Sequence, residues 1–243
     1  MRDWICGFFM AWGMFLAIPC PRKIWSESAR QKMLVCMPLV GLLAGGVWAG
    51  AWLLLRGAPG PVRAAVCAAA PWLVTGFMHL DGYMDVCDAV LSRRDLATRQ
   101  RILKDSHCGA FAVICVVLLA MGQWSLFLAA EDVSWLGLLL IPAATRACAG
   151  LAVLGLRPMG TSQYAAMGPA RGGYGAALWV LLALSVGLPL WLDGSFGPLA
   201  AAVGYGLAVW YGYRNLDGMS GDISGFALTI GELCGCGATI LWR

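Results

Sequence analysis

The chain has 243 residues, of which 60% are apolar and only 12% are charged, whereas water-soluble domains run near half apolar and a quarter charged. A single soluble domain could not bury so much apolar surface, so lipid must be the solvent for most of it. Seventeen Lys and Arg against thirteen Asp and Glu give a net charge of +4, too small and too scattered a bias to indicate a nucleic-acid partner.

In chain order, Arg2 precedes a short apolar stretch, residues 4–18, closed by Pro19 and Pro21. No small-residue cleavage site follows it ahead of a soluble domain, so it reads as part of the mature protein: a short helix that either crosses the membrane or lies partly in it. Seven longer apolar runs follow at residues 33–55, 64–80, 109–130, 135–156, 175–192, 196–213 and 223–242. Each approaches the ~20 residues a helix needs to cross ~30 Å of hydrocarbon, and helices satisfy their own backbone polar groups there. The expected fold is therefore all-α: a polytopic transmembrane helix bundle of about seven long spans plus a short N-terminal apolar helix, forming one integral membrane domain over residues 1–243. Gly41/Gly45, Gly46/Gly50 and Gly231/Gly235 stand at helical spacing and are expected to allow close helix approach. Trp124, Trp135, Trp191, Trp210 and Trp242 fall near span ends, as interfacial anchors do. The ten cysteines form no clustered array, so neither a zinc site nor a disulfide framework is suggested; they read as small apolar residues.

Alternating the loops puts Arg22, Lys23, Arg30, Lys32, Arg93, Arg94, Arg99, Arg101, Lys104, Arg157, Arg171 and Arg214 on one side. The other side receives only Arg2, Arg56, Arg63 and Arg243, so the first side is expected to be cytoplasmic. Two segments there hold the acidic residues. Residues 81–108, the longest polar stretch, are expected to form a cytoplasmic acidic and basic loop, as 214–222 form a second, and open with Asp81, Asp85 and Asp88. Their spacing of i, i+4 and i+7 places them within roughly 60° of arc if a helix continues. Three carboxylates so close repel unless cations neutralise them: either Mg²⁺, which takes oxygen ligands and shares them with substrate phosphates, or the arginines that follow. Residues 214–222 hold Asp217 and Asp222 in a Gly/Ser-containing turn on the same side. Arg93, Arg94, Arg99, Arg101 and Lys104, which follow the three aspartates in the chain and precede Asp217 and Asp222, suit a diphosphate. Arg146 and Glu232 fall within spans, where charge is costly; they either pair with each other or line a polar cavity. His79 and His107 could carry protons or bind next to phosphate.

These residues carry a family resemblance. Met37-Pro38-Leu39-Val40-Gly41, His79-Leu80-Asp81-Gly82 with Asp85, Asp88 and Ala89, Lys104-Asp105-Ser106 with Gly109-Ala110-Phe111, and Gly218 with Ser220-Gly221-Asp222 and then Glu232 occur in this order over nearly the whole chain. In this the sequence resembles the cobalamin synthase family, the adenosylcobinamide-GDP ribazoletransferases. It departs from that family in lacking a Thr-Arg pair before Ile18-Pro19 and in carrying His107 where arginine is usual.

The resemblance implies a Mg²⁺-dependent enzyme of the bacterial inner membrane with cytoplasmic active-site segments. It would join adenosylcobinamide-GDP to α-ribazole or its 5′-phosphate and release GMP. The expected partners are these substrates and the lipid bilayer, with a homo-oligomer also considered. On this reading Asp81, Asp85, Asp88 and Asp222 hold the metal, and Asp105 or one of the triad takes the acceptor's proton. His79, Arg93, Arg94, Lys104, Ser106, Ser220 and Glu232 bind substrate. Two other readings compete. A CDP-alcohol phosphatidyltransferase also gathers aspartates at a helix end, but Ala-Arg is absent at the required offset from Asp81-Gly82. A small transporter using Glu232 and Arg146 would call for an inverted repeat, and none is evident.

Overall fold

The computed structural model describes residues 2–160, 162, 164 and 172–242. They form α1 (Arg2–Phe15), α2 (Arg30–Leu54), α3 (Gly60–Val74), α4 (Met78–Leu91), α5 (Leu96–Ile102), α6 (Ala110–Ala129), α7 (Trp135–Gly155), α8 (Tyr174–Asp193), α9 (Gly197–Leu216) and α10 (Gly221–Leu241). One 3-10 turn, Glu27–Ala29, leads into α2, and the described residues contain no strand. Arg171 and Arg243, counted above with the loop charges, lie outside the described residues.

The all-helical membrane fold is as expected, and the count of about seven spans is not confirmed. Five stretches are long and apolar enough to cross a bilayer: Glu27–Leu54, α6, α7, α8 and α10. A sixth is counted if α3 and α4, bent by 90°, form one broken span. The run at 64–80 fails as a single helix because Gly76 and Phe77 both adopt left-handed backbone, with φ of 59° and 63°, a conformation uncommon for a bulky residue. The break frees carbonyls at the end of α3, and Ala17 N–H donates to that of Val74 at 2.9 Å. The run at 196–213 does form a helix, α9, of 20 residues. Its Tyr211, Tyr213, Arg214 and Asn215 keep it below the hydropathy of the five. Residues 4–18 supply α1, whose 14 residues reach about 21 Å at 1.5 Å each, short of a ~30 Å core. It packs on the start of α2 through Met10, Ala11, Met33 and Cys36, with Lys32 Nζ 2.6 Å from Asp3 Oδ2.

Glycines set the helix contacts at α2–α7 and α9–α10. A Cβ on Gly41 would lie 2.5 Å from the Pro142 carbonyl oxygen, and one on Gly45 would collide with Leu139. Gly231 and Gly235 meet Ala201 and Gly197 of α9 just as closely. Gly46 and Gly50 differ from the expectation, since neither has a neighbour within 4 Å of an added Cβ. Gly41→Ala should therefore destabilise the protein by about 1–3 kcal/mol through overpacking, and Gly46→Ala, with open space at its Cβ inside α2, should hold or raise stability by up to about 1 kcal/mol. Equal losses of melting temperature in detergent would contradict this packing.

α10 is the central helix, flanked by α9, α4, α7 and α6. α6 and α8 sit at the periphery, with Ile114, Leu118 and Met121 of the first and Trp179, Val180 and Trp191 of the second turned outward. α2 runs against α7 with Leu34 near Gly150 and Gly41 near Pro142, and α9 runs against α10 with Gly212 near Ile223 and Gly197 near Gly235. Both pairs are antiparallel, so the starts of α2 and α10 share one end of the bundle with the ends of α7 and α9. That end carries Asp81, Asp85, Asp88 and Asp222, whereas Glu131, Asp132 and Asp193 follow α6 or end α8 at the other.

Candidate active site

The site is built on the crossing of α4 with α10. A Cβ on Gly82 would lie 2.9 Å from the Asp222 carbonyl oxygen and 3.0 Å from its Cα, and one on Gly225 would lie 3.1 Å from the His79 oxygen. Only glycines permit this approach. Thr229 Oγ1 ties the two helices by donating to the His79 carbonyl at 3.2 Å. The crossing brings Asp81 and Asp85 of α4 beside Asp222 in the first turn of α10. Half-buried Asp85 feels the charges of Asp81, Asp222 and Asp88, and Asp222 feels that of Asp81. Among the described residues no Lys or Arg pairs with Asp81, Asp85 or Asp222. The crossing thus concentrates negative charge that a bound cation would relieve.

The turn before α10 is held from outside. Met159 N–H donates to the Met219 carbonyl and Met219 N–H to that of Arg157, each at 2.9 Å. Ser220 caps α10 by accepting from Ile223 N–H at 3.3 Å, and its hydroxyl lies 3.4 Å from Asp222 Oδ2. α5, capped by Asp95, docks on the end of α9, with Arg99 Nη1 donating to Asn215 Oδ1 at 3.0 Å and Gln100 Nε2 to the Leu216 carbonyl at 2.9 Å. This docking brings Lys104 into a hollow of about 260 Å³ shared with Ser162, Ser220 and Asp222. A more enclosed cavity of about 330 Å³ is lined by Phe15, Arg30, Met33, His79, Asp81 and Asp222, among others. Asp222 and Gly221 border both spaces.

Asp81, Asp85, Asp222, Ser220, Lys104 and His79 are thus gathered at this end, the last buried with its ring stacked on Phe15. Asp88 has a different environment. Its Oδ2 accepts from Gly109 N–H at 2.6 Å and its Oδ1 from Ala112 N–H at 3.0 Å, so it caps α6, whose positive dipole end it faces. Asp88→Ala should cost about 1–2 kcal/mol of stability, as cap losses do. A melting temperature unchanged by Asp88→Ala would refute the capping role.

Asp105 shares a separate hollow with Gln100, Arg101 and Lys104, and its carboxylate contacts His107 Nδ1 at 2.6 Å. That hydrogen bond holds the Asp105 carboxyl below its usual range. Arg93, Arg94 and Ser106 are exposed and line neither of the spaces at Asp222. Asp217 ends α9 in left-handed backbone and pairs with Arg157 at 2.6 Å. Glu232, expected among the substrate-binding residues, is buried inside the bundle with Oε1 2.7 Å from Arg146 Nη1. The segment 81–108 is largely helix, α4 and α5, in place of a loop. Arg30 and Tyr164, which line the cavity, were not singled out from sequence. Arg30 stood there only among the loop charges, and Tyr164 carries no motif.

Among the described residues no three His, Cys, Asp or Glu side chains form a ready-made metal site. Mg²⁺ is usually held by one or two carboxylates together with substrate phosphates. Asp81, Asp85 and Asp222, oxygen donors with no cationic partner and next to the Lys104 hollow, suit that shared mode.

Comparison with known proteins gives the family. The sequence model of the family described as cobalamin-5-phosphate synthase matches residues 7–240. An adenosylcobinamide-GDP ribazoletransferase of Clostridium botulinum (strain Alaska E43 / Type E3) is 32% identical over 97% of this chain and 97% of its own. Those of Clostridium perfringens (strain 13 / Type A) and Ralstonia pickettii (strain 12J) are each 33% identical, over 93% and 100% of this chain and 94% and 96% of theirs. No solved structure matches. With that match over nearly its whole length, the chain belongs to the cobalamin-5-phosphate synthase family.

Proposed function

We propose that this protein transfers the cobinamide-phosphate group of adenosylcobinamide-GDP to α-ribazole or its 5′-phosphate, giving adenosylcobalamin or its phosphate and GMP. The family match and the relatives' names support the reaction. The observation that carries the site is the gathering of Asp81, Asp85 and Asp222 where Gly82 and Gly225 let α4 touch α10. Neither the lipid phosphotransferase nor the transporter reading is favoured by the comparisons, and Arg146 and Glu232 are already committed to each other.

In the proposed step a ribose hydroxyl of ribazole attacks the phosphorus bonded to the cobinamide oxygen. A new oxygen–phosphorus bond forms, the bond from that phosphorus to the GMP oxygen breaks, and GMP leaves with the electron pair. The hydroxyl proton passes to the carboxylate of Asp81 or Asp85. Lys104, across Asp222, stabilises the departing phosphate. Asp105 is a weaker candidate for the base, since it lines neither space at Asp222 and its hydrogen bond with His107 lowers its basicity. Mg²⁺ held by Asp81, Asp85 and Asp222 would supply charge neutralisation at the diphosphate. The site is read as cytoplasmic, at the inner membrane, on the side richer in Lys and Arg.

Metal removal tests the proposed cofactor. Excess EDTA should abolish cobalamin formation by detergent-purified protein, and added Mg²⁺ should restore it. Undiminished turnover in EDTA would remove Mg²⁺ from the proposal.

A further inference from the structure

We infer that the 330 Å³ cavity between α1, α2, α4 and α10 receives the aromatic base of the acceptor nucleoside, while the diphosphate enters from the Lys104 side. This rests on the transferase reading above. One part of the lining is Met14, Phe15, Met33, Leu34, Met37 and Met78, apolar and polarisable groups that favour an aromatic ring, and the remainder includes His79, Tyr164, Ser224 and charged groups. At about 330 Å³ the cavity is at the small end of ligand sites. It suits a ribosylated bicyclic base and is several times too small for a corrinoid with its amide side chains.

Guanine is the other aromatic ring among the substrates. It is carried on the leaving phosphate, which the Lys104 hollow on the far side of Asp222 receives, so it is placed away from this cavity. A dimethylbenzimidazole has apolar faces, two methyl groups and one free ring nitrogen, so it loses little there. The polar members of the lining are placed for a ribose and its phosphate. Arg30 pairs with Glu27 through Nη1 at 3.2 Å, but among the described residues its Nε is buried without a hydrogen-bond partner, and Asp81 and Asp222 border the same space. Because Asp222 also borders the hollow that holds Lys104, a nucleoside seated by its base in the cavity brings its ribose to the carboxylates from one side. The phosphorus under attack arrives from the other. Flexible methionines can reshape around bases of different outline, so the same cavity sets lower-base tolerance.

Two measurements test this. Met33→Trp fills the cavity and should raise the KM for ribazole by about tenfold or more, with the KM for adenosylcobinamide-GDP within about twofold of wild type. Independently of any variant, a photoreactive azidobenzimidazole riboside should label α2 or α4 residues of the unaltered protein, competed by ribazole and not by GMP. A variant effect on the adenosylcobinamide-GDP KM alone, or labelling competed by GMP, would overturn the assignment and make the cavity a guanine site. Absence of any cobalamin product from the unaltered protein would instead overturn the transferase reading on which it rests.

Discussion

Replacing Asp85 by Asn should abolish turnover, with a fall of at least about 10²-fold, while the protein remains in the membrane at normal yield and melts no lower than wild type. Asp85 is half-buried and no hydrogen bond holds its carboxylate among the described residues. Its charge is opposed by those of Asp81, Asp222 and Asp88. An amide of the same shape removes that repulsion, so stability should hold or rise as activity disappears, the trade expected where like charges are kept together for function. Product formation and a thermal melt on the same preparation decide it. An active Asp85→Asn protein would remove this carboxylate from the reaction, and one that fails to fold would mean that Asp85 supports the α4–α10 crossing instead.

The second large effect lies inside the bundle. Glu232→Ala should destabilise the protein by about 3–5 kcal/mol, because it leaves the Arg146 guanidinium buried without its counter-charge. Arg146 is only 1% exposed, donates to the Pro142 carbonyl at 3.1 Å as well as to Glu232, and has its Nε buried without a partner. The double variant Arg146→Met/Glu232→Met should regain most of that stability, since a buried pair contributes little beyond an apolar pair of similar volume. It should also keep the wild-type KM for both substrates. Denaturation in detergent, alongside kinetics of the double variant, separates the two possibilities: a well-folded double variant with a raised KM would return Glu232 to the substrate.

Much of this architecture was legible in the sequence wherever one apolar run makes one helix, as in α2, α6, α7, α8 and α10. The run at 64–80 misled because hydropathy is blind to backbone conformation, and the left-handed pair Gly76-Phe77 turns an apolar chain as sharply as a polar loop would. The acidic residues were visible because charge is scarce here, and their i, i+4, i+7 spacing placed them on one helix face. Spacing could not show what each one meets. Asp88 bonds backbone 21 and 24 residues further on, Asp217 bonds Arg157, and both look the same as Asp85 in a linear reading. The pairing of Arg146 with Glu232 was one of two alternatives, and only the packing of α7 on α10 decides between them. Gly82 could be read as half of an Asp-Gly motif, yet its reason is steric: it lets Asp222 approach.

The central claim is that the carboxylates at this crossing serve transfer from adenosylcobinamide-GDP to ribazole. The most direct measurement is simultaneous quantitation of GMP and cobalamin product from detergent-purified protein given adenosylcobinamide-GDP, α-ribazole 5′-phosphate and Mg²⁺. The expected result is equal amounts of the two products, both lost in Asp85→Asn and Asp222→Asn proteins that remain folded. GMP released without a cobalamin product, or no product from folded wild-type protein with either form of ribazole, would contradict it.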